Sequence, residues 1–240
     1  MDQRSYNQYC ATARTLDIVG ERWTLLLIRE LLTGPKRFGD LQNSLRGLGT
    51  GLLSARLKHL EREGLAQKVT LPPPARTPAY ALTEAGEELE SAVLALAQWG
   101  MKWAMGERRE GETFHMGWTV LGLRAYFVPE AAAGLHATYE FRVGDEVFHA
   151  DVDDSAIATL HGPAQRPDAV IEADEDLFAD IASGRTDLAA GLQDGRAVAS
   201  GDPDLLRSLG DLFVRPPAQD RPGSPAAHSK AVSRPSERPA

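Results

Sequence analysis

Six histidines, one cysteine and a run of carboxylates are the residues of this 240-residue chain whose types can ligate metal or act as nucleophile. His59, His115, His136, His149, His161 and His228 build no recognisable His/Cys/Glu metal motif, so neither a metal nor a cofactor is expected. His149 falls on an expected strand and reads as a surface or half-buried residue. The acidic run ADEDLFAD (173–180) reads as the first turn of a helix, where the dipole favours carboxylates. GLGTGL (47–52) has Leu52 where a dinucleotide loop needs its third glycine, and it lies between two helices. No Gly-x-Ser-x-Gly elbow and no phosphate-binding loop occurs. Enzyme chemistry is therefore not expected. Cys10 is the one reactive-group candidate: just before a helix, N-terminal amides lower a thiol pKa. As the only cysteine it can switch only between chains or as a mixed adduct; the alternative is a small buried residue without a redox role.

A second constellation is cationic. Residues 50–63 read as a helix with the apolar stripe Leu53, Leu57 and Leu60, closed by Gly64. At 100° per residue the opposite face carries Gly51, Ser54, Ala55, Lys58 and Arg62. Gly51 and Ser54 lie near the helix start, suited to base edges; Lys58 and Arg62 lie further along, suited to phosphate. Arg56 borders the buried stripe, placed either to fold over the core or to reach phosphate. Arg76 sits in the loop PPPARTP (72–78), between strands at 66–71 and 79–82.

The elements that must position these cations are short. Residues 12–19 read as a helix closed by Gly20, and 22–33 as a strongly apolar helix ended by Gly34 and Pro35. Residues 38–45 carry Phe38, Leu41 and Leu45 at helical spacing, and RGLG (46–49) makes a turn. Helix, helix, turn, helix, hairpin is the order of a winged helix-turn-helix, whose post-turn helix fits the major groove.

A net charge of −8 argues against nucleic acid until it is divided. Residues 1–82 carry +5, 83–110 carry −3, 111–215 carry −12 and 216–240 carry +2. A basic front and an acidic rear imply two domains with different partners. Hydrophobic content of 42% supports a core, and no 18-residue apolar run or signal-peptide h-region occurs. A cytoplasmic protein without a membrane partner is expected, consistent with the single cysteine.

The run 10–67 resembles the HxlR-type transcriptional regulators, relatives of the MarR group. The resemblance lies in Cys10, LDIVGERW (16–23), the run 29–41 (RELLTGPKRFGDL), LSARLKHLE (53–61) and the wing LPPPARTPAYALTEAG (71–86). It implies a homodimeric winged-helix regulator on an inverted-repeat operator in double-stranded DNA. The expected DNA-contacting set is Lys36, Arg37, Thr50, Gly51, Ser54, Arg56, Lys58, Arg62 and Arg76. Gly51 departs from the family, where a longer polar or basic residue is usual. Some members sense oxidants through a cysteine matching Cys10.

Residues 83–110 read as a long helix with Thr83 as N-cap and Glu84, Glu87 and Glu88 in its first turn. Leu89, Val93, Leu96, Gly100 and Trp103 step by 4, 3, 4, 3, a coiled-coil-like dimer seam or else a stripe packed on its own domain. Residues 111–215 read as a second domain, with a helix over 116–127 and strands at 138–143, 146–152, 156–161 and 169–173. Helices follow over 175–183, 187–194 and 204–213, the last with Asp202 as N-cap and Pro203 at its first position. An antiparallel sheet covered by helices on one face is expected.

Residues 167–213 resemble the sterol-carrier-protein type of lipid-binding domain, through the acidic strand-to-helix step, SGRT (183–186), DGR (194–196) and SGDPDLL (200–206). The resemblance implies an apolar cavity taking a lipid-like effector, with Trp118, Leu121, Phe127, Tyr139, Phe141, Phe148 and Leu177 as candidate lining. The alternative is a closed core. The Pro-, Ala- and Ser-rich stretch 216–240 is expected to be a disordered tail.

The expected fold class is mainly α plus α+β: a winged helix-turn-helix over 1–82, a dimer helix over 83–110 and a sterol-carrier-like domain over 111–215. The expected function is a homodimeric DNA-binding regulator, a repressor, whose rear domain senses an apolar small molecule. Two alternatives stand beside it. One is a thiol-based regulator acting through Cys10 with a structural rear domain. The other is a lipid-carrier or enzyme role in which the winged helix serves only for dimerisation.

Overall fold

The computed structural model describes residues 5–105, 109–112 and 115–215. The expected tail over 216–240 lies outside the described residues. The chain divides into two compact units, Met1–Leu94 and Ala95–Ala240.

In the first unit α1 (Ala11–Val19), α2 (Thr24–Leu32), α3 (Phe38–Ser44) and α4 (Thr50–Arg62) precede β1 (Ala66–Thr70) and β2 (Pro78–Leu82). The strands pair antiparallel from Ala66↔Leu82 to Thr70↔Pro78. Lys36 adds an isolated antiparallel bridge to β2: its N–H donates to the Tyr80 carbonyl at 2.9 Å and its carbonyl accepts from the Tyr80 N–H at 2.8 Å. The core is aliphatic, with Leu27, Ile28, Leu41, Leu53, Leu57 and Leu60 fully buried. The 3.6-residue period that marks α4 as amphipathic thus fixes which of its faces is left outward.

The helix expected over 83–110 is two helices, α5 (Glu84–Glu87) and α6 (Glu90–Trp103). Thr83 caps as expected, its Oγ1 accepting from the Gly86 N–H at 3.3 Å while donating to the Gly64 carbonyl at 2.6 Å. Gly86 lies so close to the Leu65 carbonyl that a Cβ there would fall 2.1 Å from the oxygen. This docks the first turn on the hairpin. The Leu89 N–H then bonds the Gly86 carbonyl in 3₁₀ fashion, which interrupts the helix before α6 begins.

The second unit contains α7 (Gly117–Tyr126), a 3₁₀ turn (Pro129–Ala132), β3 (His136–Val143), β4 (Glu146–Asp153), β5 (Ala156–His161) and β6 (Ala169–Ala173). It continues with α8 (Glu175–Ser183), α9 (Leu188–Gln193), β7 (Ala197–Gly201) and α10 (Pro203–Leu212). One sheet runs in the order β5-β4-β3-β6-β7. Its pairings are antiparallel as expected except β3–β6, which is parallel, so the sheet is mixed. After the β3–β4–β5 meander, residues 162–168 run back along the strands and lay β6 on the free edge of β3. Seven residues reach about 23 Å, enough to pass β4 and β3, three inter-strand spacings of about 4.8 Å. β7 was not expected from the sequence; AVASG carries one β-branched residue and four small ones.

Tyr139, Phe141 and Val143 face inward with Phe148, Ala150, Val152 and Ile171, against Val120 and Leu123 of α7, Phe178 of α8, and Leu209 and Leu212 of α10. Asp174, Asp187 and Asp202 each accept a first-turn N–H, at 2.5, 2.8 and 2.8 Å. The acidic run is therefore a helix start, as read. The arginines of SGRT and DGR converge on Asp180 of α8: Arg185 Nε and Arg196 Nη1 each donate to it at 2.8 Å. The Arg185 and then the Arg196 hydrogen bonds hold the Asp180 carboxyl below its ordinary pKa.

Candidate functional site

The outward face of α4 is the candidate nucleic-acid interface. Thr50, Gly51, Lys58 and Arg62 are exposed and Ser54 is half-buried. A Cβ built on Gly51 meets nothing within 4 Å, so no packing requires glycine there. Lys58 has no ion-pair partner among the described residues, which leaves its ammonium available to an external anion.

The neighbouring cations are differently engaged. Arg62 donates from Nε to Glu63 at 3.1 Å and from Nη2 to His59 Nδ1 at 2.7 Å. His59 Nε2 lies 2.8 Å from the Ile18 carbonyl, to which it donates. Arg56 is not on the outward face: its Nη2 donates to Glu21 at 2.8 Å and the side chain is only 20% exposed. Of the two placements open in the sequence, the structure takes the fold-over, and Arg56 ties α4 to the α1–α2 loop.

Arg76 is exposed in the hairpin tip with φ +40, a left-handed conformation uncommon outside glycine. Arg37 is exposed at the start of α3, where its N–H donates to Asp40 at 3.2 Å, and Lys36 is half-buried beside Tyr80. Arg46, exposed in the turn ahead of α4, joins this set. Sequence reading took RGLG for its glycines and passed over the cation.

The five seam residues, Leu89 ahead of α6 and four within it, do not share one environment. Val93 is buried, Leu89, Gly100 and Trp103 are half-buried, and Leu96 is 55% exposed. Trp99 is 51% exposed, one turn from Leu96, and the 4-3-4-3 step skips it. Within the second unit α6 is held by side chains: Gln98 Nε2 donates to the Ala125 carbonyl at 2.8 Å. Arg215 donates from Nη2 to the Met101 carbonyl at 3.3 Å and from Nε to the Ala182 carbonyl at 3.2 Å. Both acceptors are last-turn carbonyls, of α6 and α8, where a cation is favoured. Burial raises the Tyr126 pKa and the adjacent Arg215 opposes the shift.

The candidate ligand residues of the second unit divide. Tyr139, Phe141 and Phe148 form one aromatic cluster with Phe178 and Phe213, and Phe127 packs against it. Phe141 and Phe148 stack at 5.2 Å between centroids; Phe178 meets both edge-on at 6.3 and 6.2 Å. Leu121 is buried outside that cluster, Leu177 packs on Gly191 of α9, and Trp118 lies edge-on to His115 at 4.7 Å. Phe178 and Phe213 were not in the expected lining.

The exposed Cys10 precedes α1, which excludes the buried alternative. The backbone N–H groups of Ala13 first, then Thr12, face its sulfur without forming a capping bond and hold the thiol below its ordinary pKa. Among the described residues no His/Cys/Asp/Glu group suits a metal ion, and no helix is long and apolar enough to cross a membrane.

Residues 18–108 match the HxlR-like helix-turn-helix family and residues 125–214 the SCP-2 sterol transfer family. A protein named uncharacterized HTH-type transcriptional regulator in Mycobacterium tuberculosis is 43% identical over 90 residues, 38% of this chain. The chain spans 56% of the length of that relative. The uncharacterized HTH-type transcriptional regulator YvaP of Bacillus subtilis is 32% identical over 38% of this chain and 83% of its own. The solved reduced form of the transcriptional regulator YodB from B. subtilis is 29% identical over 39% of this chain and 92% of its own, with a TM-score of 0.35. The chain belongs to the HxlR-like helix-turn-helix family and carries an SCP-2-type domain behind its winged helix.

Proposed function

We propose that the protein is a homodimeric DNA-binding transcriptional regulator, a repressor, whose C-terminal domain senses an apolar small molecule. The observation that carries this reading is the outward face of α4, with Lys58 exposed opposite the fully buried Leu53, Leu57 and Leu60, followed by a hairpin tip carrying Arg76. The exposed Leu96 and Trp99 on α6 supply an apolar strip for a second copy. Gln98 and Arg215 support coupling, because they tie α6 to the ends of α7 and α8. A ligand that moves those helices shifts α6, and with it the equilibrium between dimer geometries of different operator affinity. The test is selection of duplexes from a random pool, then titration across salt concentrations. An inverted repeat is expected to emerge, with affinity falling linearly in log–log against salt. Binding without sequence preference at every salt concentration sinks the reading.

The exposure and lowered pKa of Cys10 favour a second reading, regulation through this thiol. Its balance is two Cys10 thiols giving one intersubunit disulfide plus two protons and two electrons, the electrons passing to a peroxide or quinone oxidant. Under that reading, Cys10→Ser retains operator binding but no longer responds to peroxide. A wild-type response in the variant removes it.

A further inference from the structure

Leu52, the third residue of α4, is 41% exposed, and Gly51 and Ala55 beside it are exposed as well. At 100° per residue Gly51 and Ala55 stand on the face opposite Leu53, Leu57 and Leu60, and Leu52 stands on its flank, one turn before Ala55. A Cβ on Gly51 would meet nothing within 4 Å, so the smallness of this face is not imposed from inside the unit. A face this thin lets a helix backbone come close to a base edge. The polar groups that read bases in pairs of hydrogen bonds are missing from the same turns. α4 contains neither Asn nor Gln, the side chains that grip adenine bidentately. Arg56, one turn beyond Leu52, is turned away to Glu21 at 2.8 Å. Thr50 and Ser54 carry only hydroxyls, which pair with any base. Exposed Arg46 ahead of α4 and exposed Lys58 in its second half bracket the apolar turns, which fits this strip to a polyanion.

We propose that Leu52 reads the 5-methyl group of a thymine in the major groove, and that each operator half-site carries a thymine that meets the first turns of α4. This rests on the reading of α4 as the duplex-facing helix. Thymine is the base whose major-groove edge presents a methyl group. Packing that methyl against Leu52 takes apolar surface of both partners out of water. Gly51 and Ala55 permit the approach, and Lys58 holds the backbone phosphate further along the helix. A purine in the same place would turn its N7 and its O6 or N6 towards a side chain that cannot pair them, which leaves polar groups desolvated. Leu52 therefore selects in both directions, favouring the methyl and penalising its competitors.

The experiment measures binding of the full-length chain to the selected duplex with each thymine replaced in turn by deoxyuridine, which pairs alike but lacks the methyl. At one thymine per half-site the replacement is expected to weaken wild-type binding about fourfold, the worth of one buried methyl, and about fifteenfold when both half-sites are changed. Leu52→Ala is expected to bind the thymine duplex about as weakly as the wild type binds the doubly replaced one, and to be indifferent to the replacement. Should Leu52→Ala melt lower than the wild type, Leu52→Gln, which keeps the length of the side chain, carries the same expectation of indifference. A uracil effect of full size in the variant overturns the proposal. So does a selected repeat without thymine in its half-sites. A selective duplex whose wild-type affinity no replacement changes removes the Leu52 assignment alone. If no sequence-selective duplex emerges, the duplex-facing reading of α4 falls, and this proposal with it.

Discussion

Lys58→Ala combined with Arg76→Ala lowers affinity for the selected duplex by about tenfold or more at moderate salt, while the chain melts as the wild type does. Both side chains are exposed and without an ion-pair partner among the described residues, so removal costs the fold within about 0.5 kcal/mol. The diagnostic quantity is the salt dependence. Each phosphate contact contributes about 0.9 to the slope of log affinity against log salt, so four lost contacts in a dimer flatten it by roughly 3–4. An unchanged slope means that neither residue meets a phosphate, and the assignment of α4 and the hairpin as the duplex-facing surface fails. A lipid-carrier role with the winged helix used only for dimerisation would leave carrier activity intact in this variant.

Gly201→Ala destabilises the C-terminal domain severely, and Gly210→Ala does not. Gly201 ends β7 at φ +115, a region side chains rarely enter, and a Cβ there would lie 2.3 Å from the Asp168 carbonyl oxygen. The left-handed backbone costs about 1–3 kcal/mol and the forced shift of neighbouring backbone about 1–3 more. Asp168 and Asp202 are joined across this point, the Asp202 N–H donating to the Asp168 carbonyl at 3.0 Å, so the disturbance reaches both β6 and the start of α10. Gly210 lies within α10, where an added Cβ meets nothing within 4 Å, and alanine there gains about 0.5–1 kcal/mol of helix preference. Chemical denaturation followed by circular dichroism distinguishes the two; equal midpoints would contradict this account of the β7–α10 corner.

What could be read from sequence follows from how far apart the interacting residues lie. Leu53, Leu57 and Leu60 declare the buried face of α4 because their period is local, and Lys58 follows by subtraction. Arg56 stayed open because its partner, Glu21, is 35 residues upstream. The alternation of Tyr139, Phe141, Phe148 and Ala150 revealed an inner sheet face, and those residues do face one core. Apolarity signals burial but not which core receives it, so Trp118, Leu121 and Leu177 were grouped with a cluster they do not join. The parallel β3–β6 pairing and strand β7 carry no local signal. Trp99 was missed because a heptad step, once chosen, hides residues beside it.

The parallel pairing of β3 with β6 also has a consequence during synthesis. The first unit is built from helices and a hairpin close in sequence and can form as it leaves the ribosome. β3 finds β4 at once, but its other edge waits for Ala169–Ala173. The inner face that they share waits longer, for Leu209 and Leu212. At about 5–20 residues per second, the roughly seventy residues from the end of β3 to the end of α10 take several seconds to emerge. For that interval the nascent chain presents an unpaired strand edge and an uncovered aromatic face, the kind of surface that holdase chaperones bind.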